Sequence, residues 1–219
     1  KTMDYYLKAL KIFKELENQR ATSMMNQNIA NVLFRQGKLD KSLQVYNQAL
    51  QIYEGLDSKP GIASSCHQLG CVYSEKGDYD KAFYYYYKSL QIFEELADNP
   101  NIGNVLTGIG YEFFQKGDYD KALGYFERAL KILKNLGDKQ GMGYSLYDIG
   151  KIYFYKNDLD KAQRYLEKSH AFQEKHEIED PFLMLNNTTY LYLTYKILEK
   201  TYDEQIIYAQ IEEVKIKSE

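Results

Sequence analysis

Several residue types are scarce in this chain of 219 residues, and each scarcity excludes something. Only three prolines occur, which leaves long stretches free to be helical. The two cysteines, Cys66 and Cys71, fall within one predicted helix, so a disulfide framework is excluded and a reduced, cytoplasmic setting is expected. No apolar run approaches the ~18 residues that a membrane span needs. With 28 basic and 31 acidic residues the net charge is −3, which argues against nucleic acid and anionic membranes as partners.

Motifs of enzymes and cofactor sites are also missing. The chain has no Walker loop, no G-x-G-x-x-G between a strand and a helix, and no G-x-S-x-G elbow. His67 and Cys71 lie four residues apart, on one face of the predicted helix, but zinc needs at least three protein ligands. The sequence therefore predicts a protein that is not an enzyme, with no cofactor and no metal.

What the chain does have is a repeat with a period of forty residues. The string Gly-Asp-Tyr-Asp-Lys-Ala occurs at Gly77–Ala82 and again at Gly117–Ala122, and near copies begin at Gly37 and Asn157. A period of this length is typical of stacked supersecondary units in which each unit packs mainly on its neighbours.

Aligning the chain in rows of forty separates constant positions from variable ones. Three sets of positions keep their character: aliphatic Ile29, Leu69, Ile109 and Ile149; small Ala30, Gly70, Gly110 and Gly150; and large Leu33, Tyr73, Phe113 and Tyr153. Spacings of one, three and four place these sets on one helix face, and the small set allows a neighbouring helix to approach closely. Turn residues follow at Gly37, Gly77, Gly117 and Asn157, and prolines fall in the connections between rows. Each row therefore predicts two antiparallel helices.

This pattern resembles the tetratricopeptide repeat. The resemblance is carried by Leu69-Gly70-x2-Tyr73, Gly77-Asp78-Tyr79-Asp80-Lys81-Ala82 and Tyr86-x2-Ser89-Leu90, and by the equivalent residues of the next row. It covers Ser23 to about His176, with forty residues per repeat against the usual 34. The family implies an all-α fold, a right-handed superhelical solenoid of antiparallel helix pairs, which serves as a protein- or peptide-binding array.

The repeat boundaries predict one domain over 1–219. It is divided into a half repeat at 1–18, full repeats at 19–58, 59–98, 99–138 and 139–178, and a diverged C-terminal helix pair at 179–219, where Tyr202-Asp203 is what is left of the turn signature. Lys1 stands where a start methionine would, which suggests a piece of a longer protein. The first helix is expected to leave an apolar stripe uncovered, and self-association through it is one expectation.

Positions that change from row to row indicate the binding surface, because packing demands the same residue type in every unit. In tetratricopeptide arrays, which this chain resembles, the first helices line the concave wall of the superhelix. The resemblance therefore implies that the variable positions of the first helices bind the partner. They are Gln27, Asn28, Asn31, Arg35, His67, Gln68, Cys71, Thr107, Tyr111, Tyr147, Asp148, Lys151 and Tyr155. Amides can both donate to and accept from a peptide backbone, and aromatic rings add contact area.

Two tyrosines of the run Tyr84–Tyr87 form a second candidate. Tyr85 and Tyr86 share aromatic positions with other rows, whereas Tyr84 and Tyr87 do not and are expected to be exposed. An exposed aromatic pair can be a contact patch, or it can have no role.

The function expected from these observations is a non-catalytic scaffold that holds a protein or peptide partner in its groove. One alternative is a ligand- or peptide-sensing regulatory module of a larger signalling protein, and another is a self-assembly module. Some family members clamp a C-terminal carboxylate with Lys, Arg and Asn on successive units. Only Asn31 and Arg35 fit that pattern here.

Overall fold

The computed structural model describes residues 2–178 and 180–198, and these form ten α-helices and no strand. The helices are α1 Thr2–Glu15, α2 Gln19–Arg35, α3 Leu39–Gly55, α4 Lys59–Glu75, α5 Tyr79–Glu95, α6 Asn99–Gln115, α7 Tyr119–Leu136, α8 Lys139–Tyr155, α9 Leu159–Lys175 and α10 Pro181–Ile197. The all-α architecture of helix pairs is as predicted. Helices α2, α4, α6 and α8 are the first helices of their pairs, and α3, α5, α7 and α9 are the second.

The turn inside each pair has the predicted chemistry. Its glycine or asparagine lies in the left-handed region, with φ of 68°, 74°, 76° and 58° at Gly37, Gly77, Gly117 and Asn157. The following aspartate then caps the second helix: Asp78, Asp118 and Asp158 each accept a hydrogen bond from the backbone N–H three residues later. The second aspartate of the repeated string, as at Asp80, lies in the first turn of the helix, where a negative charge is favourable.

The prolines lie in helices rather than in the connections where the sequence pattern placed them. Pro60 and Pro181 occupy the first turn of α4 and α10, and Pro100 is the second residue of α6. The first-turn N–H groups of a helix have no acceptor within that helix, so a proline costs nothing there. The prediction of a connection was wrong by a few residues.

Contacts between Cα atoms group the chain into two units, Lys1–Glu112 and Phe113–Glu219. In unit 1, one cluster of buried side chains consists of Ala30, Tyr46, Leu50, Cys66, Leu69 and Val72. In unit 2, buried clusters are formed by Ala122, Leu123, Phe126, Ile149 and Ile152, and by Tyr147, Ala162, Leu166, Leu183 and Leu191. In both units the aliphatic and small positions of the repeat face the core.

The end of the chain departs from the forty-residue period. First helices begin at Gln19, Lys59, Asn99 and Lys139, so the period places the next start at position 179, but α10 begins at Pro181. Tyr202-Asp203 and the second helix of the predicted C-terminal pair lie outside the described residues.

Glycine at the small positions is required by the approach of the second helix. A Cβ added at Gly70 would lie 2.6 Å from the Tyr86 ring. A Cβ at Gly150 would lie 2.8 Å from Cγ of Leu166 and 3.1 Å from its backbone nitrogen. In the pairs α4–α5 and α8–α9, a side chain of the second helix therefore packs directly on the backbone of the first helix.

Gly150→Ala should destabilise the protein by about 1–3 kcal/mol, because the backbone of α9 cannot move aside as a flexible side chain could. Gly124→Ala is the matched control, since Gly124 lies inside α7 and a Cβ there meets nothing within 4 Å. That change should stabilise by about 0.5–1 kcal/mol through helix propensity alone. Urea unfolding measures both. A Gly150→Ala midpoint at or above that of the wild type would contradict the packing.

Candidate functional site

Most of the predicted wall residues are partly buried, three (Arg35, Tyr111 and Tyr155) are exposed, and two are buried. Tyr147 and Asp148 retain only 5% and 3% of their exposure. Side chains of α10 cover Tyr147, which joins a core cluster with Leu183 and Leu191. The residue type at a position can vary between repeats because the side chain that packs on it varies, and not only because the position faces solvent. The expectation that Tyr147 and Asp148 are accessible was therefore wrong, and both are removed from the candidate surface.

In unit 1, tyrosines of α3 hold the amides of α2 in place. Tyr46 is fully buried, and its hydroxyl donates a hydrogen bond to Oδ1 of Asn31 and lies 3.5 Å from Oε1 of Gln68. Burial raises the pKa of Tyr46, so the hydroxyl stays protonated and acts as a donor. With its oxygen engaged, Asn31 keeps its NH₂ group for a further acceptor.

A second tyrosine supports the preceding turn of the same helix. The hydroxyl of Tyr53 donates to Oε1 of Gln27 over 3.2 Å, and Nε2 of Gln27 donates to Oγ of Ser65 over 3.0 Å. The Gln27 side chain thus connects α2 with α3 and α4. In unit 1 the orientation of these amides is therefore fixed by hydrogen bonds to buried side chains.

His67 and Cys71 of α4 meet as their spacing predicts, with Sγ 3.8 Å from Nε2. Burial lowers the pKa of His67 to about 4 and raises the pKa of Cys71. Both side chains are therefore neutral near pH 7, which is the opposite of the thiolate–imidazolium pair of a cysteine nucleophile. Within residues 2–178 and 180–198, no three His, Cys, Asp or Glu side chains come close enough to share a metal ion.

The remaining predicted residues of unit 1 frame this surface. Thr107 turns its hydroxyl back to the carbonyl of Gly103 in its own helix, at 3.0 Å. Arg35 is exposed at the end of α2, and Tyr111 of α6 is 38% exposed. We call Gln27, Asn28, Asn31, Arg35, His67, Gln68, Cys71, Thr107 and Tyr111 the unit 1 wall.

In unit 2, a lysine is surrounded by aromatic rings. The ammonium of Lys151 lies 4.8 Å from the ring centroid of Phe114, 5.7 Å from Tyr190 and 6.0 Å from Tyr147. The hydroxyl of Tyr155 is 3.1 Å from that of Tyr190, and Tyr155 is 48% exposed. Cation–π attraction holds the ammonium over these rings. We call Lys151, Tyr155 and Tyr190 the unit 2 wall.

Sequence reasoning missed Tyr190, although a signal for it exists. Because α10 begins two residues later than the period predicts, rows of forty align Tyr190 with the small Gly150. Shifting the last row by two residues aligns it instead with Asp148, a variable position. The two-residue insertion before α10 therefore conceals a wall residue.

The tyrosine pair of α5 is exposed as expected, at 61% for Tyr84 and 43% for Tyr87. Tyr84 meets the edge of Tyr85 at a centroid distance of 5.1 Å, and Tyr87 stacks on Phe83 at 5.9 Å. The pair lies on the second helix α5, whereas the residues of the unit 1 wall lie on first helices.

The low pKa of His67 gives a prediction for stability against pH. Folding depresses this pKa from its ordinary 6.5 to about 4. The free energy of unfolding is therefore highest above pH 6.5 and decreases as the pH falls toward 4, because the unfolded chain binds the proton first. The loss should reach roughly 3 kcal/mol. His67→Gln, which places the Gln27 residue type at the equivalent position, should remove this part of the acid sensitivity. Denaturant melts between pH 7 and 4 measure it, and an NMR midpoint of His67 near 6.5 would contradict the burial.

Comparison with known proteins agrees with this geometry. The family model of the tetratricopeptide repeat matches residues 3–55, 19–95, 67–135 and 101–175. No curated protein sequence matches the chain. No helix of the described part has the length and hydropathy needed to cross a membrane.

Similar solved structures share the fold at low identity. BtubC (BKLC) from P. vanneervenii is 21% identical, with 98% of this chain and 88% of that chain covered and a TM-score of 0.81. Aspartyl phosphate phosphatase F from Bacillus subtilis is 16% identical, with 98% and 55% covered and a TM-score of 0.81. A Rap protein complexed with competence and sporulation factor is 17% identical, with 99% and 59% covered and a TM-score of 0.79.

The forty-residue rows, the helix pairs and the small positions between their helices are those of one family, which the family model matches from residue 3 to residue 175. The chain belongs to the tetratricopeptide repeat family.

Proposed function

We propose that this protein is a non-catalytic scaffold that binds protein or peptide segments along its first helices. The observation that carries the proposal is the support of wall amides by buried tyrosines, as Tyr46 supports Asn31. A side chain held in one orientation loses little entropy when a partner binds it. Surface amides with no binding role would need no such support.

The unit 1 wall suits an extended backbone. Within the described part of the chain, the side chain of Asn28 makes no hydrogen bond, and the NH₂ group of Asn31 makes none either. Amides spaced along a helix can pair with successive N–H and C=O groups of a peptide. Tyr111 adds rigid aromatic area beside them.

The unit 2 wall suits an acidic or aromatic side chain. Within the described residues, the ammonium of Lys151 contacts aromatic rings and no carboxylate. A carboxylate from a partner would form a charge-assisted hydrogen bond in a setting partly shielded from water. The exposed ring of Tyr155 lies beside it and would contact the rest of the partner.

Wall substitutions should weaken binding without unfolding the protein. A peptide selected from a random displayed library against the wild type serves as probe, and fluorescence anisotropy measures its Kd. Asn28→Ala with Tyr111→Ala, or Lys151→Gln with Tyr155→Ala, should raise that Kd about tenfold or more, as loss of binding hot spots does. The melting temperature of each variant is measured alongside and should stay well above the assay temperature.

The control for this experiment is Tyr84→Ala with Tyr87→Ala, which removes exposed aromatic area from a second helix. It should leave the Kd unchanged. Equal Kd values for the wild type and both wall variants, or a loss of binding confined to the Tyr84/Tyr87 variant, would overturn the assignment.

A sensing module within a larger signalling protein is a second candidate. This chain covers only 55% of the length of aspartyl phosphate phosphatase F and 59% of that of the Rap protein complexed with competence and sporulation factor, so in both the same fold accompanies further chain. A sensing role requires that binding alter structure beyond the site itself. Hydrogen exchange with the selected peptide bound separates the two: protection confined to the walls favours a scaffold.

Self-association through α1 is a third candidate, favoured by the exposure of its apolar residues. Helix α1 has no buried residue, and Tyr5, Ile12 and Leu16 are 71%, 54% and 67% exposed. The repeat pattern predicts Tyr6, Leu10 and Phe13 as the uncovered stripe, but these three side chains are partly buried.

If this candidate is correct, Ile12→Lys with Leu16→Lys should convert a concentration-dependent dimer into a monomer, since charge on an apolar patch opposes its burial. Sedimentation equilibrium measures the mass. A wild type that is monomeric at every concentration would eliminate self-association.

A further inference from the structure

Unit 1 contains a cleft that the wall does not use. It lies between α1, α2 and α3 and has a volume of about 500 Å³, within the range of small-molecule sites. Its lining consists of polar side chains and one aliphatic residue: Lys14, Gln19, Thr22, Asn26, Gln48, Gln51 and Ile52, with Gly55. Asn26 and its neighbour Gln27 point to different faces of α2, so the cleft and the unit 1 wall are separate surfaces.

Polar side chains that make no hydrogen bond within residues 2–178 and 180–198 line the cleft. Asn26 and Thr22 are 4% and 7% exposed as whole residues, but their polar atoms are not among the buried atoms that lack a partner, so these atoms are open to the cleft. The side chains of Gln19, Gln48 and Gln51 also make no hydrogen bond within the described residues. The donors and acceptors of the cleft are therefore accessible to a ligand that enters it.

Packing alone does not call for polar residues at these positions. The residues equivalent to Thr22 in unit 1 are Ile62 and Ile102, and those equivalent to Asn26 are Cys66 and Leu106. Ile102, Cys66 and Leu106 are buried core residues. The first full repeat therefore replaces an apolar seam with a polar one, at a loss of stability that the fold itself does not require.

A glycine lies at the edge of the cleft. A Cβ added at Gly55 would meet nothing within 4 Å. The equivalent positions in the later repeats carry the exposed side chains of Glu95, Asn135 and Lys175. Gly55 therefore marks the solvent side of the cleft, where a larger side chain would have room.

From this cleft we propose a second binding site, specific for a small ligand that joins a carboxylate to amide groups, as a free amino acid such as glutamine or the carboxyl end of a short peptide does. Lys14 binds the carboxylate, and Asn26, Thr22 and the glutamines pair with the amide donors and acceptors. The glutamine amides and the Thr22 hydroxyl can each donate or accept a hydrogen bond, which suits a ligand that carries both donors and acceptors.

NMR titration of the full chain tests the proposal with four probes: triglycine, triglycine amide, L-glutamine and acetate. The readout is the side-chain NH₂ resonances of Gln48 and Gln51. Triglycine or L-glutamine should shift them saturably, and which of the two binds more tightly distinguishes a peptide end from a free amino acid. Acetate, which has no amide, should not shift them. Lys14→Met should raise the Kd of the carboxylate probes about tenfold and leave triglycine amide unaffected.

Two variants remove the site while keeping the fold. Thr22→Ile with Asn26→Leu restores the apolar seam of the other repeats, so it should abolish the shifts and raise the melting temperature. Gly55→Leu fills the cleft at its mouth and should also abolish them. The proposal is overturned if neither triglycine nor L-glutamine shifts the glutamine resonances, or if the shifts persist in both variants. Peptide binding by the unit 1 wall involves none of these residues, so the two proposals can fail separately.

Discussion

The packing of large side chains from second helices onto glycines of first helices is the constraint on which this fold depends. Tyr86 packs on Gly70 within its own pair and on Gly108 of the next first helix, where an added Cβ would lie 3.0 Å from the ring. Tyr53 packs on Gly61 in the same way, between consecutive pairs. One ring therefore fixes three helices at once, and since each unit of a repeat protein is stabilised by its neighbours, these contacts carry much of the stability. Because the helices lie so close together, the hydroxyl of a tyrosine such as Tyr46 reaches the surface formed by the first helices.

The residue type at this one core position also decides what the wall above it can be. In unit 1 the position holds Tyr46 and Tyr86, whose hydroxyls reach the polar side chains of the first helices, as the bond from Tyr46 to Asn31 shows. In unit 2 it holds Phe126 and Leu166, which have no hydroxyl and are buried in apolar clusters. There the polar group on the wall is Lys151, and aromatic rings hold it in place of hydrogen bonds. A difference in the core residue between the two units is thus accompanied by a difference in the polar residues of the wall.

How far the sequence predicts this structure depends on whether a residue's role is local or set by a neighbour. The left-handed turn at Gly77 and the cap at Asp78 both follow from local backbone chemistry, and the turn was predicted from sequence. The burial of Tyr147 was not, because it depends on α10, and the two-residue shift of α10 breaks the alignment of rows. The cleft also has a signal in the sequence, since Thr22 and Asn26 interrupt sets of apolar positions. A polar residue in an otherwise apolar set of positions is as informative as a variable surface position.

Helix α2 joins the two surfaces of unit 1 through adjacent residues. Asn26 lines the cleft, and Gln27 is held by Tyr53 and Ser65 on the side of the wall. A ligand paired with Asn26 would restrain the turn of helix that positions Gln27, so its binding can favour the orientation that a peptide requires. Such coupling needs a ligand that binds one arrangement of α2 better than another, and by linkage the peptide would then tighten the ligand equally. Without two arrangements of α2 the sites act independently, since a rigid helix transmits no preference. Coupling between the cleft and the unit 1 wall therefore requires that α2 adopt more than one position, with the ligand favouring one of them.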